Sequence, residues 1–230
     1  MSQIITIEGN IGSGKSTLLQ HLKEKYNAKN ETNKTTSNII FLREPVDEWE
    51  NIQDENGISI LQKFYADQKS YSFSFQMMAY ISRLALLKQA IENNPHAIII
   101  TERSLVTDKM IFAKMLYDSG NIQSVDYQIY TKWFDCFAKD YSINKVIYVN
   151  SSPEICYERI HERSRLGEAE IPLDYLTTCD TYHKNMISSF SENNKISVME
   201  LNGNTNIKIK QNEHCLEGWL QKIDEFINRE

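Results

Sequence analysis

The sequence is poor in the features that mark disulfide-rich, metal-binding, membrane and nucleic-acid-binding proteins. Its four cysteines stand at least 20 positions apart and form no Cys-X-X-Cys motif: Cys136, Cys156, Cys179 and Cys215. No apolar run reaches the roughly 18 residues that a membrane span needs. The 25 Lys and Arg residues are outnumbered by 31 Asp and Glu residues, whereas broad nucleic-acid binding uses a cationic surface. We therefore expect no disulfide framework, no membrane and no nucleic-acid partner.

The N-terminal residues MSQIITIEG read directly as a buried strand. They contain neither the charged start nor the apolar stretch of a secretory leader, and they do not resemble a mitochondrial leader. We therefore expect the protein in the cytoplasm.

Short apolar runs alternate with helical patterns along the 230 residues. The runs predict strands at Ile4–Ile7, Ile39–Leu42, Ala97–Thr101, Val146–Val149 and Ile196–Leu201. Helical spacing covers 15–26, 58–92 with a break near Ser70, 104–117, 124–140, 153–163, 172–190 and 212–228. This alternation is typical of an α/β fold with a parallel sheet covered on both faces. The polar segment 27–38 is predicted to be an exposed loop, and no linker divides the chain, so we expect one domain over 1–230.

A phosphate-binding motif follows the first strand and opens the first helix. It is Gly9-Asn10-Ile11-Gly12-Ser13-Gly14-Lys15-Ser16, followed by Thr17, and it fits GxxxxGK[ST]. The glycines let backbone N–H groups turn inward, and the helix N-terminus adds partial positive charge. Lys15 is expected to reach the terminal phosphates, and the Ser16 hydroxyl a magnesium ion. The motif predicts a nucleoside-triphosphate site but leaves an ATPase, a GTPase switch and a kinase open.

Charged side chains follow three other strands, at the sheet edge where open α/β sheets bind ligands. Glu44 could accept the proton of an acceptor hydroxyl, Glu102 could hold magnesium, and Arg103 could neutralise a transferring phosphoryl group. Arginines that could close over a triphosphate follow the fourth strand: Arg159, Arg163 and Arg165. The segment after that strand has neither Lys nor Asp, which argues against a guanine-reading GTPase. These residues favour a kinase.

Several motifs together resemble those of the deoxynucleoside kinases, the group that includes deoxycytidine, deoxyguanosine, deoxyadenosine and mitochondrial-type thymidine kinases. The motifs are GNIGSGKST, EPVDEW, Tyr71-Ser72-Phe73-Ser74-Phe75-Gln76, Glu102-Arg103-Ser104 with Asp108 and Ile111-Phe112-Ala113, and ERSRLGEAEIPLDYL at 162–176. The resemblance covers nearly the whole chain, apart from 27–38 and the last thirty residues. It implies a P-loop kinase fold with five parallel strands, a short Arg-rich lid at about 163–170, and a homodimer through helices near 70–92 and 124–140.

The resemblance also implies an activity and residue roles. The activity is transfer of the γ-phosphoryl group of ATP to the 5′-hydroxyl of a deoxynucleoside, for nucleotide salvage. Glu44 would be the base on that hydroxyl, Arg103 would steady it, and Glu102 with Ser16 would serve Mg²⁺. Tyr65 and Glu168 would hold the sugar 3′-hydroxyl, and Arg159, Arg163 and Arg165 would form the lid.

The identity of the base depends on Gln76, Arg83 and Asp108. The Gln76 amide suits any base once it is rotated. Arg83 lies seven positions further along the same helix face and only donates, so it favours purine acceptors, with Asp108 as its carboxylate partner. We expect a purine deoxynucleoside, deoxyadenosine slightly ahead of deoxyguanosine, with deoxycytidine also possible. A nucleoside monophosphate kinase and a catalytically silent nucleotide-binding subunit are the alternatives.

Overall fold

A computed structural model describes residues 2–33, 38–163, 168, 171–192, 196–207 and 212–229. Within these residues, five strands form one parallel sheet in the order β2-β3-β1-β4-β5. The strands are β1 (Gln3–Glu8), β2 (Ile39–Leu42), β3 (Ile98–Glu102), β4 (Lys145–Asn150) and β5 (Ser197–Asn202). The predicted five-stranded parallel sheet is confirmed, and no strand end is displaced by more than one residue.

Helices cover both faces of the sheet, because the isoleucines of the central strand point alternately to either side. Ile5 and Ile7 pack against Leu18 of the first helix and Phe226 of the last one. Ile4 lies on the other face, in the same apolar cluster as Tyr80 and Tyr130. The helices are α1 (Lys15–Asn33), α2 (Val46–Asn51), α3 (Ile60–Ala66), α4 (Gln68–Asn93), α5 (Leu105–Thr107), α6 (Lys114–Asp118), α7 (Ser124–Phe137), α8 (Pro153–Arg163), α9 (Leu173–Glu192) and α10 (Glu213–Asn228).

Helix α1 runs further than the sequence pattern predicts. Residues 27–33 continue the helix, so the prediction of a loop over 27–38 is wrong for this part, while 34–37 lie outside the described residues. The segment contains no Gly or Pro that would end a helix. Tyr26 also fixes the middle of α1 to α10, because its hydroxyl donates a hydrogen bond of 2.6 Å to Asp224.

The predicted break in the long helical segment lies at Asp67 rather than near Ser70. Asp67 caps α4, because its carboxylate accepts a hydrogen bond of 3.1 Å from the backbone N–H of Ser70. The capping box of Ser59 and Gln62 starts α3. Helix α2, in contrast, is absent from the sequence prediction.

The segment predicted as one helix over 104–117 has a wider π-helical turn at Asp108–Ala113 between α5 and α6. Ile111 and Ala113 are fully buried, whereas Asp108 and Phe112 line the main cavity of the molecule. Such turns insert an extra residue into a helix and are frequent at functional sites. Within this wider turn, some side chains thus pack in the core while others face the cavity.

The C-terminal helix is fixed to the start of β4 by a buried lysine. The Lys145 ammonium group donates hydrogen bonds to the carbonyl oxygens of Phe226 and Ile227 at 2.9 and 3.1 Å, and to that of Arg229. These carbonyls belong to the end of α10, where a helix lacks internal donors. None of the described helices combines the length and the apolar character that crossing a bilayer requires.

Candidate active site

A cavity of about 550 Å³ lies beside the phosphate loop. Most of the predicted site residues line it: Ile11, Gly12, Ser13, Gly14, Lys15, Ser16, Thr17, Glu44, Tyr65, Gln76, Arg83, Glu102, Arg103, Asp108, Arg159, Arg163 and Glu168. Gly9 and Asn10 lie behind this wall, and Arg165 lies outside the described residues. Residues up to 157 positions apart in sequence thus surround one space.

The phosphate loop depends on two glycines that no other residue could replace. Gly9 and Gly12 have φ angles of +146° and +80°, and an added Cβ would lie 2.5 Å from the carbonyl oxygen of Val149 or Cys156, respectively. The buried Lys15 ammonium group donates a hydrogen bond of 2.6 Å to the carbonyl oxygen of Asn10. Burial, helped by the Arg103 charge, lowers the pKa of Lys15 to about 7.

Ser16 and Glu102 form an oxygen pair at the start of α1. The Ser16 hydroxyl donates a hydrogen bond of 2.5 Å to Oε1 of Glu102, at the end of β3. A hydroxyl and one carboxylate fit Mg²⁺, which takes oxygen ligands and completes its shell with phosphates and water. Among the described residues, no group of three or more His, Cys, Asp or Glu side chains forms a metal site. An ion at this pair would therefore also need nucleotide and water oxygens.

Glu44, just after β2, contacts two arginines through the same oxygen. Its Oε1 accepts a hydrogen bond of 2.9 Å from Nη2 of Arg83 and lies 3.3 Å from Nε of Arg103. Burial alone would raise the pKa of Glu44, but the charges of Arg103 and Arg83 outweigh that effect and lower the pKa to about 2. Glu44 is thus a carboxylate at any pH near neutrality.

Arg103 is buried in an unusual backbone conformation. Its φ angle is +63°, a region that residues other than glycine seldom adopt. The guanidinium carbon lies 4.9 Å from the centre of the Phe112 ring, and Nη1 donates a hydrogen bond of 3.0 Å to the carbonyl oxygen of Gly9. The side chain thereby connects the end of β3 to the phosphate loop.

Arg83 and Asp108 lie together at the inner end of the cavity. Nε of Arg83 donates to Oδ2 of Asp108 at 2.9 Å, and Nη1 donates to the carbonyl oxygen of Glu102 at 2.7 Å. Burial raises the pKa of Asp108 to about 6, although Arg83 acts against the rise. Gln76 lies two helical turns before Arg83 on the same face of α4. It is buried, and its Oε1 has no hydrogen-bond partner in the described part of the chain.

The predicted lid arginines have different surroundings. Arg159 donates hydrogen bonds to the carbonyl oxygens of Ser13 and Gly203, at 3.3 and 2.8 Å, so it connects the phosphate loop to the β5–α10 segment. Arg163 ends α8 and forms an ion pair with the buried Glu168. Burial, with a contribution from Glu168, raises the pKa of the nearby Tyr65 hydroxyl well above its usual value.

The sequence motifs gave no individual role to three residues in or beside the cavity. Phe112 and Tyr175 line the cavity, and His183 lies directly behind Arg103. Phe112 could have been found from its place one helical turn after Asp108. Tyr175 and His183 lie in an ordinary helical pattern of α9, which indicates burial only.

The fold and the cavity define the class of protein. A parallel sheet with a phosphate loop, an oxygen pair suited to a cation and an adjoining cavity make this a P-loop kinase.

Comparison with known proteins identifies the family. The model of the deoxynucleoside kinase family matches residues 5–228, so the chain belongs to that family and is an enzyme. It is 35% identical to "Probable deoxycytidine kinase" of Fowlpox virus, over 86% of this chain and 78% of that protein. It is 31% identical to deoxycytidine kinase of Mus musculus over 97% and 90%, respectively. It is 30% identical to mitochondrial thymidine kinase 2 of Homo sapiens, over 79% and 63%. The resemblance inferred from the motifs is confirmed, and the family implies ATP as phosphate donor.

Proposed function

We propose that the enzyme phosphorylates the 5′-hydroxyl of deoxynucleosides whose base carries an exocyclic amino group, namely deoxycytidine and deoxyadenosine. The observation that carries this proposal is the buried Asp108 carboxylate, held by Arg83, in the same cavity as the unpartnered Oε1 of Gln76. Two acceptor groups at the inner end of a pocket call for a donor on the ligand.

An amino group supplies what these acceptors need. It has two N–H bonds, one for Gln76 and one for Asp108, while the Gln76 NH₂ can donate to the neighbouring ring nitrogen of cytosine or adenine. Thymine and guanine carry a carbonyl oxygen at that place, which would face a carboxylate. A site built around a hydrogen bond strongly rejects an analogue that lacks the matching group.

The surroundings of Arg83 argue against a direct preference for guanine. Arg83 makes hydrogen bonds to Asp108, Glu44 and the carbonyl oxygen of Glu102, which use four of its five N–H donors. In this proposal Arg83 holds Asp108 rather than the base. The expectation of deoxyadenosine ahead of deoxyguanosine and deoxycytidine is changed accordingly. Because one of the relatives named above is a deoxycytidine kinase and another is named as a probable one, we place deoxycytidine first.

The phosphoryl transfer is assigned to the groups around the phosphate loop. Lys15 and the loop N–H groups hold the triphosphate, and Ser16 with Glu102 holds Mg²⁺, which neutralises charge on the transferring group when bound. Glu44 orients the 5′-hydroxyl and takes up its proton. Arg103 stabilises the charge that develops between acceptor and donor.

The remaining predicted contacts belong to the sugar and the triphosphate. Tyr65 and Glu168 line the cavity and are proposed to bind the sugar 3′-hydroxyl. Arg159 and Arg163 flank the donor side, and Arg159 acts there partly by holding Ser13. The role of Arg165 in the lid over the triphosphate stays a prediction.

The test is an acceptor panel with purified protein, labelled ATP and Mg²⁺. Deoxycytidine, deoxyadenosine, deoxyguanosine, thymidine and two deoxynucleoside monophosphates are compared by chromatography of the products. We expect monophosphates from deoxycytidine and deoxyadenosine at kcat/KM at least about 100-fold above thymidine. Phosphorylation of monophosphates alone would identify a nucleoside monophosphate kinase, and no product at all would identify a silent subunit. A kcat/KM for thymidine comparable to that for deoxycytidine would disprove the proposal that the site recognises the exocyclic amino group of the base.

We also propose that two copies pair through α4 and α7. Large apolar side chains recur every four positions on the surface of α7, with exposures of 66, 42, 46 and 48%: Val125, Ile129, Trp133 and Phe137. Ile81 on α4 is 45% exposed. A contiguous apolar stripe of this kind is typical of a protein interface. Trp133→Asp should give a monomer by analytical ultracentrifugation, whereas Gln128→Glu, off the stripe on the same helix, should leave the mass unchanged.

The whole chain is proposed to act as one domain. Strands β1 and β5 come from opposite ends of the sequence and lie in the same sheet, and α10 packs on α1. The cytoplasmic location stays a prediction, which cell fractionation would test.

A further inference from the structure

A histidine outside the predicted site lies against Arg103. His183 is in the middle of α9, fully buried, and its ring packs edge-on to Phe112 with the ring centres 6.4 Å apart. Its Nε2 lies 3.3 Å from Nη1 of Arg103. The two residues are 80 positions apart in sequence, so only the fold brings them together.

The hydrogen bonds define which ring nitrogen carries the proton. Nδ1 of His183 lies 2.7 Å from the carbonyl oxygen of Cys179, one turn earlier in α9, and a carbonyl oxygen can only accept. Nδ1 therefore carries the hydrogen. Burial, together with the charge of Arg103, lowers the pKa of His183 well below its usual range, so the ring is neutral. A neutral ring protonated at Nδ1 has a lone pair at Nε2, which accepts from Arg103.

The guanidinium of Arg103 is thus held from several directions. Gly9 accepts from the same Nη1 as His183, Glu44 lies 3.3 Å from Nε, and Phe112 covers one face of the group. The side chain extends from a backbone with a φ of +63°, a strained conformation that persists only where the surrounding contacts hold it. His183 is the contact that comes from α9, on the side away from the cavity; it does not line the cavity itself.

We propose that His183 is a positioning residue for Arg103. It holds the guanidinium in the position from which it contacts the transferring phosphoryl group. The proposal rests on the role assigned to Arg103 in the proposed function. Nε2 has to remain an acceptor, because a donor there would oppose the N–H of Arg103. A displacement of about 1 Å in such a group can reduce the rate about 100-fold.

Two substitutions separate this role from simple packing. His183→Asn keeps a donor near the Nδ1 position for the Cys179 carbonyl but removes the acceptor for Arg103. His183→Gln reaches further and places an amide oxygen near the position of Nε2. We expect kcat with deoxycytidine or deoxyadenosine to fall about 10- to 100-fold in the Asn variant, with KM for the nucleoside changed less than about threefold. The Gln variant should recover most of that loss.

A double substitution shows whether the effect passes through Arg103. With Arg103→Lys already present, His183→Asn should reduce kcat by less than about twofold further, because the two residues act as one unit. Equal kcat in the Asn and Gln variants, or a loss of kcat that follows the loss of thermal stability in both, would overturn the proposal. Failure of the proposed function would look different, since the wild type would then form no deoxynucleoside monophosphate, or Arg103→Lys would leave kcat unchanged.

Discussion

Arg83 and Asp108 form a buried ion pair with two contacts, Nε to Oδ2 at 2.9 Å and Nη2 to Oδ1 at 3.4 Å. The same arginine also reaches Glu44, so the group proposed to select the base and the group proposed to bind the hydroxyl share one cation. Specificity and turnover should therefore respond together when this cation is removed.

Replacing Arg83 alone and replacing the pair should have different results. Arg83→Met leaves Asp108 buried without its cation, at a cost of about 3–5 kcal/mol in the free energy of unfolding, and kcat should fall as well. Arg83→Met with Asp108→Ala removes both charges and opens apolar space for the thymine methyl group. We expect the double variant to be more stable than the single one and to raise kcat/KM for thymidine relative to deoxycytidine and deoxyadenosine. A ratio unchanged within about threefold would show that the pair does not select the base.

Lys15 should couple ATP binding to proton uptake. Its pKa of about 7 in the free protein should rise when phosphates surround it. Between the two pKa values, ATP binding takes up a proton, so ATP affinity should fall as the pH rises above about 7. Titration calorimetry at pH 8 in two buffers with different ionisation enthalpies measures this uptake. Lys15→Ala should abolish the proton uptake and reduce kcat about 100- to 1000-fold. A variant that keeps more than about a tenth of the rate would disagree with this site.

Glu44→Gln should reduce kcat about 100-fold or more while nucleoside binding changes little. An amide can still contact the hydroxyl but cannot take its proton. Because the pKa of Glu44 is about 2, protonation of this carboxylate should produce no fall in rate between pH 5 and 8. Single-turnover rates and equilibrium binding of the nucleoside separate the two effects. Unchanged kcat with weaker binding would leave Glu44 an orienting role only.

The same carboxylate should affect acid stability. Since the pKa of Glu44 is lower in the folded protein than in the unfolded chain, its contribution to stability is complete above its usual pKa and is lost as the pH falls towards 2. Urea unfolding of Glu44→Gln should accordingly show a weaker decrease in stability than the wild type from pH 4.5 to 3. Parallel pH profiles would contradict the lowered pKa.

Gly203 and Gly218 should respond in opposite directions to replacement by alanine. A Cβ at Gly203 would lie 2.2 Å from Oγ of Ser151 and 2.8 Å from a methyl carbon of Val149. Gly203→Ala should therefore destabilise the protein by about 1–3 kcal/mol. Gly218, within α10, has no heavy atom within 4 Å of the added carbon, so Gly218→Ala should stabilise by about 0.5–1 kcal/mol. Thermal unfolding of both variants provides the comparison.

The parts of the fold that depend on local patterns were predictable from the sequence. The isoleucine-rich strands and the loop from Gly9 to Ser16 have strong signals within a few residues, and all five strands were found. Helix α2 was missed, because six residues after a proline show little periodicity. It is stabilised instead by tertiary contacts, among them the hydrogen bond of 2.9 Å that Nε1 of Trp49 donates to Ser82.

The site residues also fall into those that the sequence predicts and those that only the structure reveals. Lys15, Glu44, Glu102 and Arg103 follow strands and could be placed together from the rule that parallel strands end at one edge. The π-helical turn at Asp108–Ala113 has no distinct sequence pattern, since its residues would also suit a regular helix. The sequence around His183 indicates only a core residue. Its role beside the site follows from the short distance between its Nε2 and Nη1 of Arg103, which only the structure shows.

The buried ammonium group of Lys145 can report the attachment of the C-terminal helix. It is enclosed by the carbonyl oxygens of Phe226 and Ile227, so an amine-reactive reagent can reach it only when α10 leaves the sheet. Exposed lysines such as Lys88 would react at once and serve as an internal standard. The extent of modification at Lys145, read by peptide mass spectrometry over time, would thus give the opening rate of one helix in the native protein, without an introduced probe.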